Sequence, residues 1–216
     1  MLRNIFCSLV LFWVLACCGG CLVVGAVLHK VFGPPAVAAK YAPPKEPTLV
    51  LVESKGNPSG GEFDADQVAR SVGDELKKHE VGPLIDPDKL ASVRETDPDK
   101  FRGMSIVALG RAVGAKKVIY VDLVESGVDA DASEGSMHAS ATARVRVVDV
   151  ESGDTVWPLD TARQGYELDA QVPYSSHTDR QTVIAMHNAI ITNISDQIAK
   201  LFYAWKPETE QESNNG

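Results

Sequence analysis

The stretch Gly110–Pro158, GRAVGAKKVIYVDLVESGVDADASEGSMHASATARVRVVDVESGDTVWP, decides the fold. It reads as a helix end, a buried strand, a polar loop, a second strand with one wet face, a tight turn and a third strand. Val118–Val124 (VIYVDLV) is apolar at nearly every position, so it belongs in the middle of a sheet covered on both faces. From His138 the pattern alternates: Ala139, Ala141, Ala143, Val145 and Val147 point one way, Ser140, Thr142, Arg144 and Arg146 the other. Glu151-Ser152-Gly153-Asp154 turns the chain, with Gly153 free to take a positive φ.

Working outward, Thr48–Glu53 (TLVLVE) predicts the first strand. Asp64 and Gln67 form an Asp-x-x-Gln cap, and Ala65, Val68, Ala69, Val72 and Leu76 give the following helix one apolar face. Gly82-Pro83 stops it, and Leu84-Ile85 reads as a short strand. Asp97-Pro98 opens a second helix that runs to a left-handed cap at Gly114. Beyond Trp157-Pro158 the strand signal over Thr161–Val172 is weak. Thr178 and Gln181 read as a cap for a last helix, whose apolar positions Val183, Met186, Ile190, Ile194, Ile198, Leu201 and Trp205 step by threes and fours. The expected fold is therefore α/β: a single mixed sheet of about five strands with three packed helices, in the order β-α-β-α-β-β-β-α, preceded by a hydrophobic anchor.

The chain divides by composition into an apolar leader (1–32), a Pro/Ala-rich tether (33–47), the α/β domain (48–205) and a polar tail (206–216), expected to be disordered. Ile5–Leu28 is apolar apart from Ser8 and the glycines, with Arg3 before it and His29 and Lys30 after. Two readings stand for it. As a helix it is long enough to span a bilayer. As a signal peptide it ends in Val14-Leu15-Ala16-Cys17, which resembles a bacterial lipobox, with Gly19-Gly20-Cys21 as a second candidate. Cys17 and Cys21 are thus the candidate lipid-attachment residues. Both readings anchor the chain to a membrane and place the domain on the periplasmic side of the cell envelope.

The net charge of −8 and the lack of a Lys/Arg cluster exclude a nucleic-acid binder. All four cysteines lie in the first 21 residues, so the domain can use neither a disulfide nor a thiolate. Gly60-Gly61 lacks the Gly-Lys-Ser/Thr of a phosphate loop. Asp129, Asp131, Ser133 and Glu134 faintly resemble a calcium loop, but the order of ligands is wrong and an acidic hairpin loop is the better reading. The histidines, His29, His79, His138, His177 and His187, show no His-x-x-x-His spacing for zinc. Asp122 inside an apolar strand needs a partner, a backbone group or an arginine. Trp157 and Tyr166 read as core-closing aromatics. Asn193-Ile194-Ser195 matches a glycosylation pattern but falls in a helix.

Two pieces, Arg111–Val124 (RAVGAKKVIYVDLV) and Ala143–Trp157 (ARVRVVDVESGDTVW), resemble a group of bacterial envelope domains. The group comprises the curli-secretion lipoprotein, the lipoprotein activators of penicillin-binding proteins and the amino-terminal domain of the Tol–Pal translocation protein. The chain also resembles uncharacterised anchored proteins of planctomycete-type bacteria. The resemblance covers roughly residues 48–203 and implies a non-catalytic periplasmic α/β domain that binds other proteins. It departs from the curli-type member in lacking an extra pair of long amphipathic strands, and no set of partner-binding residues carries over. The expectation is a membrane-anchored accessory or scaffold protein, not an enzyme, with no cofactor and an envelope protein as partner. Two alternatives are an extracytoplasmic small-molecule or metal sensor and a hydrolase assembled from Asp122, Ser175 and His177.

Overall fold

The computed structural model describes residues 34–54, 61–131, 136–176 and 179–207. The leader with Cys17 and Cys21, the 132–135 connection, residues 177–178 and the tail from 208 lie outside them. Elements run β1 (Thr48–Glu53), α1 (Gly61–Lys78), α2 (Pro87–Thr96), α3 (Pro98–Gly103), α4 (Ile106–Val113), β2 (Lys117–Asp131), β3 (Ser136–Asp149), β4 (Thr155–Trp157), β5 (Tyr166–Ser175) and α5 (Arg180–Lys200). The sheet is mixed: β1 pairs parallel with β2, and β2 antiparallel with β3. The far edge of β3 pairs with both β4 and β5. The expected α/β fold with a mixed five-stranded sheet is what forms.

The alternation of β3 sets the layers. Ala139, Ala143, Val145 and Val147 are fully buried, as are their β2 partners Leu123, Val121 and Ile119. They face α1, which buries Val68, Val72 and Leu76, and α5, which buries Ile190, Ile194 and Ile198. Residues of opposite parity, Leu49, Leu51, Val118, Tyr120 and Val148, pack with Leu109 and Val113 of α4 in a second core, with α2 and α3 at its margin. Gly110 makes this second contact close: a Cβ there would stand 2.8 Å from Val150 Cγ2 and 3.0 Å from Val118 Cγ2. Gly114 takes φ +77° and Gly153 φ +82°, as their turns require.

Four local expectations change. The polar loop after Glu125 is mostly strand: β2 continues to Asp131 and pairs with Ser136–Thr142. A bulge at Val124 resets the alternation, so Ser126 rather than Glu125 faces α1. The second helix is broken at Met104-Ser105, where Ser105 recaps the chain by accepting from the Ala108 N–H, and α2 is added before it. The last helix is capped by Asp179, which accepts from the N–H groups of Gln181 and Thr182; Thr178, the expected cap, lies outside the described residues. Leu84 forms a single parallel bridge to Thr48, short of a strand.

The chain divides into two units, 39–203 and a smaller one made of Met1–Ala38 with Ala204–Gly216. In the smaller unit the Val37 and Trp205 N–H groups each donate to the other's carbonyl, at 2.7 and 3.0 Å. In the larger one the segment before β1, read as the end of a tether, is hydrogen-bonded to the domain at both its ends. The Lys40 and Tyr41 N–H groups donate to the Leu201 carbonyl, and those of Lys116 and Lys117 to Pro47. Lys117 Nζ bridges Glu46 (3.1 Å) and Asp149. Among the described residues no helix is long and apolar enough to cross a membrane.

Candidate functional site

The α4 layer covers β1, β2 and the end of β3 at Val148 on its sheet face. Across β5 and the rest of β3 that face stays open and carries charge. Arg144 Nε donates to Glu167 Oε2 at 3.0 Å, and the Thr142 hydroxyl to Asp169 Oδ1 at 2.8 Å. These are cross-strand neighbours, as the register requires. At the border with the α4 core, the Tyr120 hydroxyl donates to Glu53 Oε2 at 2.8 Å, and the Arg146 guanidinium lies 4.7 Å from the Tyr120 ring centre. Burial, and then this bond to a carboxylate, push the Tyr120 phenol well above its ordinary range, so it stays a donor. The turn before β5 closes the border. The Gln164 and Gly165 N–H groups both donate to the Thr161 carbonyl, and Gly165 takes φ +83°, where a Cβ would stand 3.1 Å from the Val145 carbonyl oxygen. A hollow of about 130 Å³ results, lined by Tyr120, Asp122, Arg144, Arg146, Arg163 and Gln164.

A larger crevice of about 690 Å³ opens beyond the carboxyl end of β1, beside α1, α2 and α3. Strand ends of this kind are where α/β sheets place ligands. Leu51, Leu90, Phe101 and Leu109 give it apolar walls. Arg94, ion-paired with Asp66 at 3.3 Å, adds a polar flank, and the buried Ser54 hydroxyl on its wall has no hydrogen-bond partner among the described residues.

A third constellation was invisible in the sequence. Asp64 lies inside α1, three residues past its start, and is not the helix cap. Its buried carboxylate accepts from the Ser126 hydroxyl at 2.8 Å and meets His187 Nε2 at 3.2 Å. The serine bonds the carboxylate and not the imidazole, so the order of a nucleophilic relay is absent. The group ties α1, β2 and α5 together.

The hydrolase trio does not assemble as expected. Asp122 stands opposite Arg144 on β3 and Ser175 opposite Met137. Seven residues of strand separate those two positions, about 23 Å, and His177 lies outside the described residues. Asp122 is half-buried and stands opposite Arg144 in the register, whose guanidinium pairs with Glu167. Of the calcium-loop residues, Asp129 is an exposed strand residue, Asp131 ends the strand, and Ser133 and Glu134 fall outside the described residues. Among the described residues no three His, Cys, Asp or Glu side chains gather to hold a metal. His79 stacks on Tyr203 at 3.7 Å, and His138 tilts against Tyr174 at 5.5 Å. Trp157 packs between Tyr166, Tyr41 and Phe202, closing that edge of the domain. Asn193 donates its amide to the Gln171 carbonyl at 3.2 Å. Arg163 and Ser54 carried no sequence signal, since each becomes notable only through what folds against it.

No protein-family profile matches the chain, and no curated protein matches it. Solved structures do. Lipoprotein GNA1162 from Neisseria meningitidis is 13% identical with a TM-score of 0.46, over 70% of this chain and 99% of that one. A PelC dodecamer from Paraburkholderia phytofirmans is 12% identical with a TM-score of 0.42, over 79% and 95%. The protein CT253 from Chlamydia trachomatis is 16% identical with a TM-score of 0.43, over 72% and 96%. Bacterial lipoproteins thus stand among the structures to which the chain is similar.

Proposed function

We propose that the chain is a membrane-anchored accessory protein of the cell envelope whose α/β domain docks a protein partner on the open β3–β5 face. The observation that carries this is the half-covered sheet. One face is roofed by α1 and α5, whereas on the other the α4 layer covers β1, β2 and only the end of β3 at Val148, leaving Arg144, Glu167 and Asp169 exposed and Thr142 half-buried. The charged pairs on that face are ordered by register and would set orientation and partner choice more than affinity. The apolar leader supplies the anchor and Cys17 or Cys21 the lipid site.

A photo-crosslinking side chain placed at Asp169, in cells, tests the docking face. We expect a discrete adduct that the same side chain at Glu95, on α2, does not give. Equal labelling from both positions, or none from either, would overturn the reading. The crevice beside Ser54 favours a second reading, a small-molecule sensor. Its mark would be a ligand recovered with the purified chain and lost on Leu90→Arg.

A further inference from the structure

Arg146 is held in an unusual state. Its guanidinium is laid against the Tyr120 ring, and that ring is itself fixed through the Tyr120–Glu53 hydrogen bond. Its Nε is shut off from solvent and has no hydrogen-bond acceptor among the described residues. Buried donors are nearly always paired, and leaving one unmade costs more than a typical bond returns. The neighbouring cations differ in what they already hold. Arg144 is engaged by Glu167 and stands opposite Asp122. Arg163 is exposed, brought to the hollow by the Gly165 turn. The lining therefore contributes three arginines against one aspartate, in a chain of net charge −8.

We propose that this hollow is an oxyanion subsite, in which Arg146 and Arg163 together grip one carboxylate or phosphate group. The planar guanidinium fork, pre-oriented by its aromatic neighbour, suits two-point recognition of such a group, which a lysine would not give. A volume of about 130 Å³ admits one carboxylate or phosphate group. Two arginines without an ion-pair partner among the described residues are too few for a nucleic-acid backbone. The subsite deepens the reading of the open face as a partner surface and rests on it only for the source of the anion, a partner's acidic side chain. Asp122, on the same wall, opposes anion binding and keeps the empty site from gathering stray anions.

The test follows the Arg146 Nε–H resonance in the full-length chain, labelled with nitrogen-15 arginine and held in zwitterionic detergent. The titrants are inorganic phosphate and an acetylated tetraglutamate peptide, at fixed ionic strength and up to about 10 mM, a range that reads even weak single-group binding. We expect a saturable shift that Arg163→Gln weakens by about fivefold or more and Asp122→Asn strengthens severalfold, as a one-charge change at close range should. A response to peptide but not phosphate assigns the anion to a partner's carboxylate, and a response to phosphate assigns it to a free or lipid-borne oxyanion; both support the subsite. No saturable shift with either titrant, or a shift indifferent to Arg163→Gln, or weaker binding in Asp122→Asn, would overturn it. Should the resonance respond while Asp169 captures no partner in cells, the subsite stands and the docking reading falls.

Discussion

Asp64 carries a carboxylate into the interior, and the two groups that meet it come from elements 62 and 123 residues away. Asp64→Ala would leave the buried Ser126 hydroxyl and the His187 ring without that acceptor. We expect a loss of about 1–3 kcal/mol in urea unfolding, the range for a buried polar group stripped of its partner. An unchanged midpoint would show that water replaces the carboxylate at no cost. This residue also shows where the sequence misleads. Asp-x-x-Gln before an apolar run has the form of a helix cap, and nothing nearby says that the helix has already begun at Gly61. Nor does the run Glu125-Ser126-Gly127 announce that a bulge will turn the serine inward. Side chains that serve distant partners look, locally, like caps and loops.

Within single elements the glycines give opposite forecasts. Gly73 sits inside α1 with nothing within 4 Å of the place a methyl group would occupy, so Gly73→Ala should stabilise by about 0.5–1 kcal/mol through helix propensity. Gly110 in α4 would gain the same propensity, but its Cβ would drive into Val118 and Val150 on the sheet, and overpacking of that kind costs about 1–3 kcal/mol. Thermal unfolding of the two variants should therefore shift in opposite directions. The start of β2 and the end of β3 are clasped by charge. The hydrogen bond from Lys117, and then the Ser152 N–H, hold the Asp149 carboxyl well below the usual carboxylate range. A depressed carboxylate stabilises above its unfolded pKa, about 3.9, and that contribution fades as pH falls toward the folded value. Asp149→Asn should thus lower the urea midpoint at pH 7, and the difference from the parent chain should shrink below about pH 4. A difference independent of pH would remove the ion pair as its cause. The start of β2 was legible as a continuous apolar run, and β3 from His138 because its period is 2 and its inward residues are apolar. β5 was not: Glu167, Asp169, Gln171 and Pro173 make an edge strand look like a loop, although these are the side chains an edge can bear.

Over the whole molecule, the α/β layering could be read from the sequence, while the site could not. Two arginines on one strand face were visible, but their unequal pairing depends on Glu167, Tyr120 and the Gly165 turn, all brought in by tertiary contact. The anchor gives the remaining forecast. Palmitate labelling of the full chain should survive one of Cys17→Ala and Cys21→Ala and vanish with the other. Labelling lost with neither would leave the apolar leader as the means of attachment. The hydrogen bonds from Lys40 and Tyr41 to Leu201 put the beginning and end of the larger unit side by side, while α5, 21 residues or about 31 Å long, separates that corner from its own first turn. A fluorescent reporter fused behind residue 203 would accordingly sit beside the place where the chain enters the larger unit, and one at the first turn of α5 would report from the opposite end of that helix.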